Sequence, residues 1–118
     1  MRYKFEDLEV WQLSLELSDN MYELSAQLPD IEKFNLVTQI NRAVTSISLN
    51  IAEGSTSQSD TEQKRFIGYA IRSLVEVIAC LKLMERRNYL KSEDLKLKAE
   101  KNCNVLFNKL QAFKNALN

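Results

Sequence analysis

The sequence contains few of the residues that interrupt regular secondary structure. Its 118 residues include two glycines, one proline and no histidine. A β-sandwich or a doubly wound sheet needs many turns, so this scarcity argues against both and favours a few long helices. The missing histidine removes the commonest general base and the commonest metal ligand. With 45% apolar and 27% charged residues, the composition is typical of one ordinary folded domain spanning residues 1–118.

Cysteines and long apolar runs are also scarce. Cys80 and Cys103 are too few for a disulfide framework, and their positions predict two thiols packed in a core. No run approaches 18 apolar residues and the N-terminus lacks an apolar segment, so we expect a cytoplasmic protein that does not insert into membranes. The sequence contains no nucleophile–base pair, metal-ligand cluster or phosphate loop. We therefore expect no catalytic site, metal, cofactor or small-molecule substrate.

The spacing of apolar residues predicts four helices. Apolar side chains recur at steps of three and four over about residues 7–28, 31–53, 60–86 and 93–117. Pro29 ends the first segment, Gly54 follows the second, and Ser59 with Glu62 has the spacing of a capping box before the third. Helices of this length joined by short turns predict an all-α, antiparallel up-down-up-down four-helix bundle.

Polar residues recur with helical spacing on the second and third predicted helices. Two interpretations remain open, namely two solvated faces or two stripes that meet in a partly buried hydrogen-bond network. The register places Arg42 roughly 6 Å from Glu76 along the helix axes, which predicts an ion pair with Ser46 or Ser73 nearby. If that pair is partly buried, removing Arg42 should cost about 3 kcal/mol. The stripe residues are Gln39, Arg42, Ser46, Asn50, Glu53, Arg65, Ser73 and Glu76.

Several short motifs resemble those of a known family. They are Phe5-Glu6-Asp7-Leu8-Glu9-Val10-Trp11, Leu28-Pro29, Gln39-Ile40-Asn41-Arg42-Ala43 and Asn50-Ile51-Ala52-Glu53-Gly54. The chain resembles the bacterial four-helix-bundle family typified by proteins encoded in intervening sequences of large-subunit ribosomal RNA genes. That family is similar to the accessory variability protein of diversity-generating retroelements, which forms a pentameric barrel and binds nucleic acid.

The resemblance implies a non-enzymatic bundle that associates with itself, as a ring of five, with RNA or DNA as a further partner. The same resemblance makes the polar stripe residues candidates for a structural or interface role. Three positions depart from the family pattern. Asn41 replaces a usual basic residue, residues 55–59 lack a common arginine, and Arg72 replaces a common glycine. The first two departures remove positive charge, and the third restores one charge at a different place.

Charge is distributed unevenly along the chain. Residues 1–60 contain 4 Lys/Arg and 10 Asp/Glu, a net charge of −6, and residues 61–118 contain 12 and 6, a net charge of +6. This asymmetry fits either a nucleic-acid contact or acidic and basic helices lying side by side. Lys91, Lys98 and Lys109 share one flank of the fourth predicted helix, which makes them candidate contacts for RNA or DNA. Other lysines point elsewhere, so a continuous basic surface would require assembly of several copies.

The third predicted helix has more apolar surface than one bundle face requires. Ile67, Ile71 and Ile78 widen its apolar arc to roughly 140°. These isoleucines therefore become the predicted oligomer interface, and Ile71→Glu is expected to disperse the ring without loss of helical content. The alternative function is a structural or protein-interaction scaffold that binds no nucleic acid. Salt dependence separates the two, because nucleic-acid affinity falls steeply with salt.

Overall fold

The computed structural model describes residues 2–118, which form helices and connecting turns. Four α-helices and no strand occur in this part of the chain, so the predicted all-α, four-helix class is confirmed. The described residues measure 44 × 25 × 24 Å along their principal axes. None of these helices is both long enough and apolar enough to cross a membrane. The helices are α1 (Glu9–Ser25), α2 (Leu36–Gly54), α3 (Asp60–Arg86) and α4 (Glu93–Ala116).

Local capping explains where the helices begin. The hydroxyl oxygen of Ser59 accepts a hydrogen bond from the Glu62 backbone N–H at 3.2 Å, and the bounds of α3 match the predicted range. Ser92 caps α4 in the same way. In contrast, α2 starts at Leu36 and not at residue 31, because Asp30–Glu32 forms a separate 3-10 turn. A second 3-10 turn, Lys4–Asp7, precedes α1, which begins later and ends earlier than the spacing predicts.

One apolar core lies between the four helices. Both cysteines belong to it, as their positions predict, with 5% of Cys80 and 2% of Cys103 exposed. Burial raises the pKa of Cys103 to about 12 and also raises the pKa of Cys80, so both thiols stay protonated at neutral pH. The large side chains with almost no exposed surface include Leu17, Met21, Leu24, Ile40, Ile47, Ile51, Leu74, Met84, Leu106 and Leu110.

Of the three isoleucines proposed as spare surface, two lie in this core and the third packs against it. Ile67 has no exposed surface, Ile71 is 9% exposed, and Ile78 is partly buried against the core. The expectation that Ile67 and Ile71 face a neighbouring copy does not fit this burial, because α3 packs between α2 on one side and α4 on the other. A helix with two neighbours needs a wide apolar arc, so the single chain already uses the arc of α3.

Side-chain pairs define how neighbouring helices are placed. Between α1 and α2, the hydroxyls of Ser14 and Ser48 lie 2.8 Å apart, and Ser25 donates to Asn41 at 3.4 Å. Early residues of α1 therefore lie beside late residues of α2. The same opposite order relates α1 to α4, where Glu9 pairs with Lys109 and Asn20 accepts from Asn102.

Candidate nucleic-acid interface

The polar stripes of α2 and α3 meet where these two helices pack together. The hydroxyls of Ser46 and Ser73 lie 2.9 Å apart. The Asn50 amide donates to the Ser46 carbonyl oxygen at 2.9 Å and to its hydroxyl at 3.0 Å. All three side chains are half-buried. Of the two interpretations left open by the sequence, the hydrogen-bond network is the one that describes these three residues.

The outer part of the same stripe is exposed. The Arg42 guanidinium donates to the Gln39 amide oxygen at 2.6 Å and lies 3.9 Å from the Glu76 carboxylate. The predicted Arg42–Glu76 pair is present, but the condition of partial burial is not met, since the two side chains are 69% and 44% exposed. Glu53 and Arg65 are also exposed, and neither forms an ion pair within residues 2–118.

The lysines predicted to contact nucleic acid do not share one basic surface. Each lies among carboxylates, and for Lys109 the distance from its Nζ to the nearest carboxylate oxygen is 3.3 Å. A nearby carboxylate reduces the attraction of an ammonium group for phosphate. The carboxylates are those of Glu9 beside Lys109, of Glu16 and Asp19 beside Lys98, and of Glu85 and Glu93 beside Lys91.

A different cluster of cations lines an open groove between the outer face of α3 and the end of α4. The groove has a volume of about 470 Å³. Four of its side chains are cationic and none is a carboxylate. None of the four cations forms an ion pair with a carboxylate anywhere in residues 2–118. We call this surface the basic groove; its residues are Thr61, Lys64, Arg65, Gly68, Tyr69, Ile71, Arg72, Gln111 and Lys114.

Helical spacing on α3 and one glycine build the basic groove. Lys64, Gly68 and Arg72 follow one another at steps of four, which places them along one face of the helix. Lys114 reaches this face from α4. Its Nζ lies 3.7 Å from the point where a Cβ on Gly68 would sit. The small residue therefore leaves room for the ammonium group of α4 to lie directly over α3.

Tyr69 supplies the aromatic side chain of the groove. It is 42% exposed, and its ring packs perpendicular to that of Phe66, with the centroids 5.9 Å apart and 87° between the planes. Cations beside an exposed aromatic ring are the combination that proteins use to bind nucleic-acid backbones and bases. The lysine pattern of the fourth helix alone does not indicate this surface, since three of the four groove cations lie on α3. The spacing of Arg65, Tyr69 and Arg72, at steps of four and three, was the signal that could have revealed it.

A second polar cluster, centred on Glu32, ties the α1–α2 connection to the α3–α4 turn. The Glu32 carboxylate accepts hydrogen bonds from the Tyr89 hydroxyl at 2.8 Å and from the Asn35 amide at 3.0 Å, and Arg87 lies 3.5 Å away. The Tyr89 hydrogen bond is the main reason that the pKa of Glu32 is lowered. We call these residues the Glu32 cluster. Within residues 2–118, no group of three or more cysteine, aspartate or glutamate side chains could hold a metal ion.

Comparison with known proteins places this fold in a family. A family model described as 23S rRNA-intervening sequence protein matches residues 6–112, which is most of the chain. The chain belongs to the 23S rRNA-intervening sequence protein family. This assignment confirms the resemblance carried by the sequence motifs. The basic groove lies on helices inside the matched range, except that Lys114 follows its last residue.

A solved structure shows the same fold. This 23S rRNA-intervening sequence family member is similar to a protein from Bacteroides thetaiotaomicron VPI-5482, described as having unknown function and as belonging to the S23 ribosomal protein family. The TM-score is 0.79, and the match covers 89% of this chain and 97% of that one. The two sequences are 24% identical, so the likeness concerns the fold alone. No curated protein matches this chain.

Proposed function

We propose that this family member is a non-enzymatic, homo-oligomeric bundle that binds RNA or DNA through the basic groove. The observation that carries the proposal is the set of four cations without a carboxylate in one concave surface. The opposite residue order of neighbouring helices supports an antiparallel up-down-up-down arrangement. The family description refers to 23S ribosomal RNA, which fits a cytoplasmic location.

Nucleic acid can be attracted to this chain only by a local cluster of positive charge. The formal net charge of the chain is zero, so its overall field does not draw a polyanion toward it. From Lys64 to Arg72 the groove extends roughly 12 Å along α3, at about 1.5 Å per residue. Four cations neutralise at most four phosphates. For a single strand this corresponds to a slope of about −2.8 in a plot of log affinity against log salt concentration.

Self-association would strengthen such a short site. Linking several copies raises the effective concentration of each further groove once one groove is occupied. The family resemblance supports a ring of five. Exposed apolar side chains supply surface for contacts between copies, above all Ile31 at 82% and Phe34 at 88% in the connection before α2. These two residues replace the core isoleucines as candidate interface residues.

Light scattering on the full chain at micromolar concentration tests self-association. We expect a mass about five times that of the 13.7 kDa chain, since the resemblance implies a ring of five. A mass near 13.7 kDa would overturn the oligomer. It would leave the basic groove intact, because one chain alone forms that surface.

Two matched lysine variants test the proposed nucleic-acid site. Lys64→Gln removes a charge from the basic groove, whereas Lys98→Gln removes the same charge beside carboxylates of α1. We expect Lys64→Gln to weaken binding of a labelled oligonucleotide and Lys98→Gln to leave it nearly unchanged, as read by fluorescence anisotropy. Equal losses in both variants would contradict the assignment of the site. Absence of binding by the unmodified chain would contradict nucleic-acid binding itself.

A protein-interaction scaffold is the second candidate function, and one observation favours it. Ile31 and Phe34 are almost fully exposed, and between them Glu32 is anchored by Tyr89 and Asn35. Two apolar side chains held on an anchored turn suit an interface with another polypeptide. In that case Phe34→Ser would abolish assembly, and no oligonucleotide would bind at low salt.

A further inference from the structure

The basic groove contains one exposed aromatic ring, and its placement is informative about the ligand. Tyr69 lies four residues after Arg65 and three residues before Arg72, so a cation stands one turn away in each direction along α3. All three side chains line the groove. A base placed on the Tyr69 ring would therefore have a cation available for the backbone on either side of it.

The contact with Phe66 covers at most one face of the Tyr69 ring. The planes of the two rings meet at 87°, so an edge of one ring points at a face of the other. If the edge belongs to Phe66, Phe66 covers one face of Tyr69. If the edge belongs to Tyr69, Phe66 covers neither face. In both cases the contact fixes the tilt of the ring, and 42% of the residue stays exposed.

We propose that Tyr69 is a stacking platform for an unpaired base and that the basic groove therefore selects single-stranded nucleic acid over duplex. This inference rests on the proposed function. A base inside a duplex is stacked between its neighbours and cannot lie on a protein side chain, whereas a base in a single strand can. Stacking tolerates any sequence because every base has a π-face, so the groove needs no base-specific hydrogen bonds.

The experiment compares three probes of equal length on the full chain at one salt concentration: single-stranded RNA, single-stranded DNA and duplex RNA. We expect both single strands to bind more tightly than the duplex. Comparison of the single-stranded RNA probe with the single-stranded DNA probe shows which of the two binds more tightly. This comparison uses the unmodified chain, so it remains decisive even if a variant fails to fold.

Tyrosine variants then test the stacking contact. Tyr69→Leu should weaken single-strand binding by roughly 5- to 150-fold, the loss typical of one stacked base. Its salt dependence should stay unchanged, since no charge is removed. Tyr69→Phe should restore the affinity. The control is Tyr22→Leu, which removes a tyrosine of similar exposure, 49%, from α1 and should have no effect.

Different results would contradict nucleic-acid binding by the basic groove and base stacking on Tyr69. If none of the three probes binds, the proposed function is overturned and the stacking inference with it. If the duplex binds as tightly as the single strands, or if Tyr69→Leu binds single strands as tightly as the unmodified chain does, the stacking inference is overturned. The basic groove then remains a site for the nucleic-acid backbone.

Discussion

Arg42 and Glu76 face each other across the α2–α3 interface, with 3.9 Å between a guanidinium nitrogen and a carboxylate oxygen. At this distance the two groups form an ion pair without a hydrogen bond, and the Arg42 guanidinium donates instead to Gln39 on its own helix at 2.6 Å. Both members of the ion pair are largely exposed. Counting residues from the turn between the helices predicted which side chains meet, but it carried no information about how deeply they are buried.

Exposure makes this ion pair weak. We expect Arg42→Ala to lower the free energy of unfolding by less than about 1 kcal/mol, because water solvates both groups and screens their attraction. A double-mutant cycle with Glu76→Ala, followed by urea denaturation, measures the coupling directly. A coupling of about 3 kcal/mol, which is expected for a buried pair, would show that the two groups are far less solvated than their exposure indicates.

The two glycines should respond in opposite directions to alanine. At Gly54 a Cβ would lie 3.0 Å from the Phe66 Cβ, which is attached to the α3 backbone and cannot swing away. Gly54→Ala should therefore cost about 1–3 kcal/mol through overpacking. At Gly68 the nearest atom is the mobile Lys114 Nζ, at 3.7 Å, so Gly68→Ala should gain up to about 1 kcal/mol from helix propensity. Thermal melts of the two variants give the comparison, and destabilisation by both would contradict it.

Replacement of Ile71 by glutamate should destabilise the chain itself and not merely disperse an oligomer. Ile71 is 9% exposed and belongs to the core, although it also lines the basic groove, so Ile71→Glu removes a buried apolar side chain at a cost of about 2 kcal/mol or more, even with the groove cations close to the new carboxylate. The control is Val75→Glu, four residues further along α3 at a side chain that is 51% exposed. Circular dichroism and light scattering distinguish the outcomes. Full helical content with a reduced mass in Ile71→Glu would restore the interpretation of this residue as an interface residue.

The Glu32 cluster should make stability depend on pH. Tyr89, Asn35 and Arg87 together hold the pKa of Glu32 below 4.5 in the folded chain, so the folded state binds this proton less tightly than the unfolded state does. The stabilisation is therefore present above about pH 4.5 and is lost as the pH falls through the folded pKa.

The variant Glu32→Gln tests this dependence. It should lower Tm at neutral pH, and its difference from the unmodified chain should shrink in acid. Thermal melts at about pH 7 and about pH 3 measure the change. The control Glu53→Gln, at an exposed position, should show a constant difference. A Tm difference for Glu32→Gln that does not vary with pH would rule out the charged form as the stabilising one.

Sequence patterns predicted those parts of the fold that depend on neighbouring residues. The spacing of apolar residues predicted the four helices, and the Ser59 cap predicted the start of α3. Both signals lie within a few residues of the structure they specify. The start of α2 was missed for the opposite reason. Glu32 is bound by Tyr89, 57 residues further along the chain, and no local pattern reports such a contact.

The candidate site was only partly predictable for the same reason. The Ser46–Ser73 contact follows from helix register across a short turn. The basic groove combines α3 cations with Lys114, which reaches them from the end of α4 beside Gly68. The pattern of cations along one helix does not indicate a surface that two helices build together. The wide apolar arc of α3 was wrongly interpreted as surface for another copy, because the sequence does not show how many neighbours a helix has.

The salt dependence of oligonucleotide binding tests the central claim most directly. The double variants Lys64→Gln/Lys114→Gln and Lys98→Gln/Lys109→Gln remove the same charge, the first pair from the basic groove and the second from lysines that lie beside carboxylates. For a single strand we expect the slope of log affinity against log salt to fall from about −2.8 to about −1.4 in the groove variant, and to stay near about −2.8 in the control. An unchanged slope in the groove variant, or an equal loss in both variants, would contradict the basic groove as the nucleic-acid site.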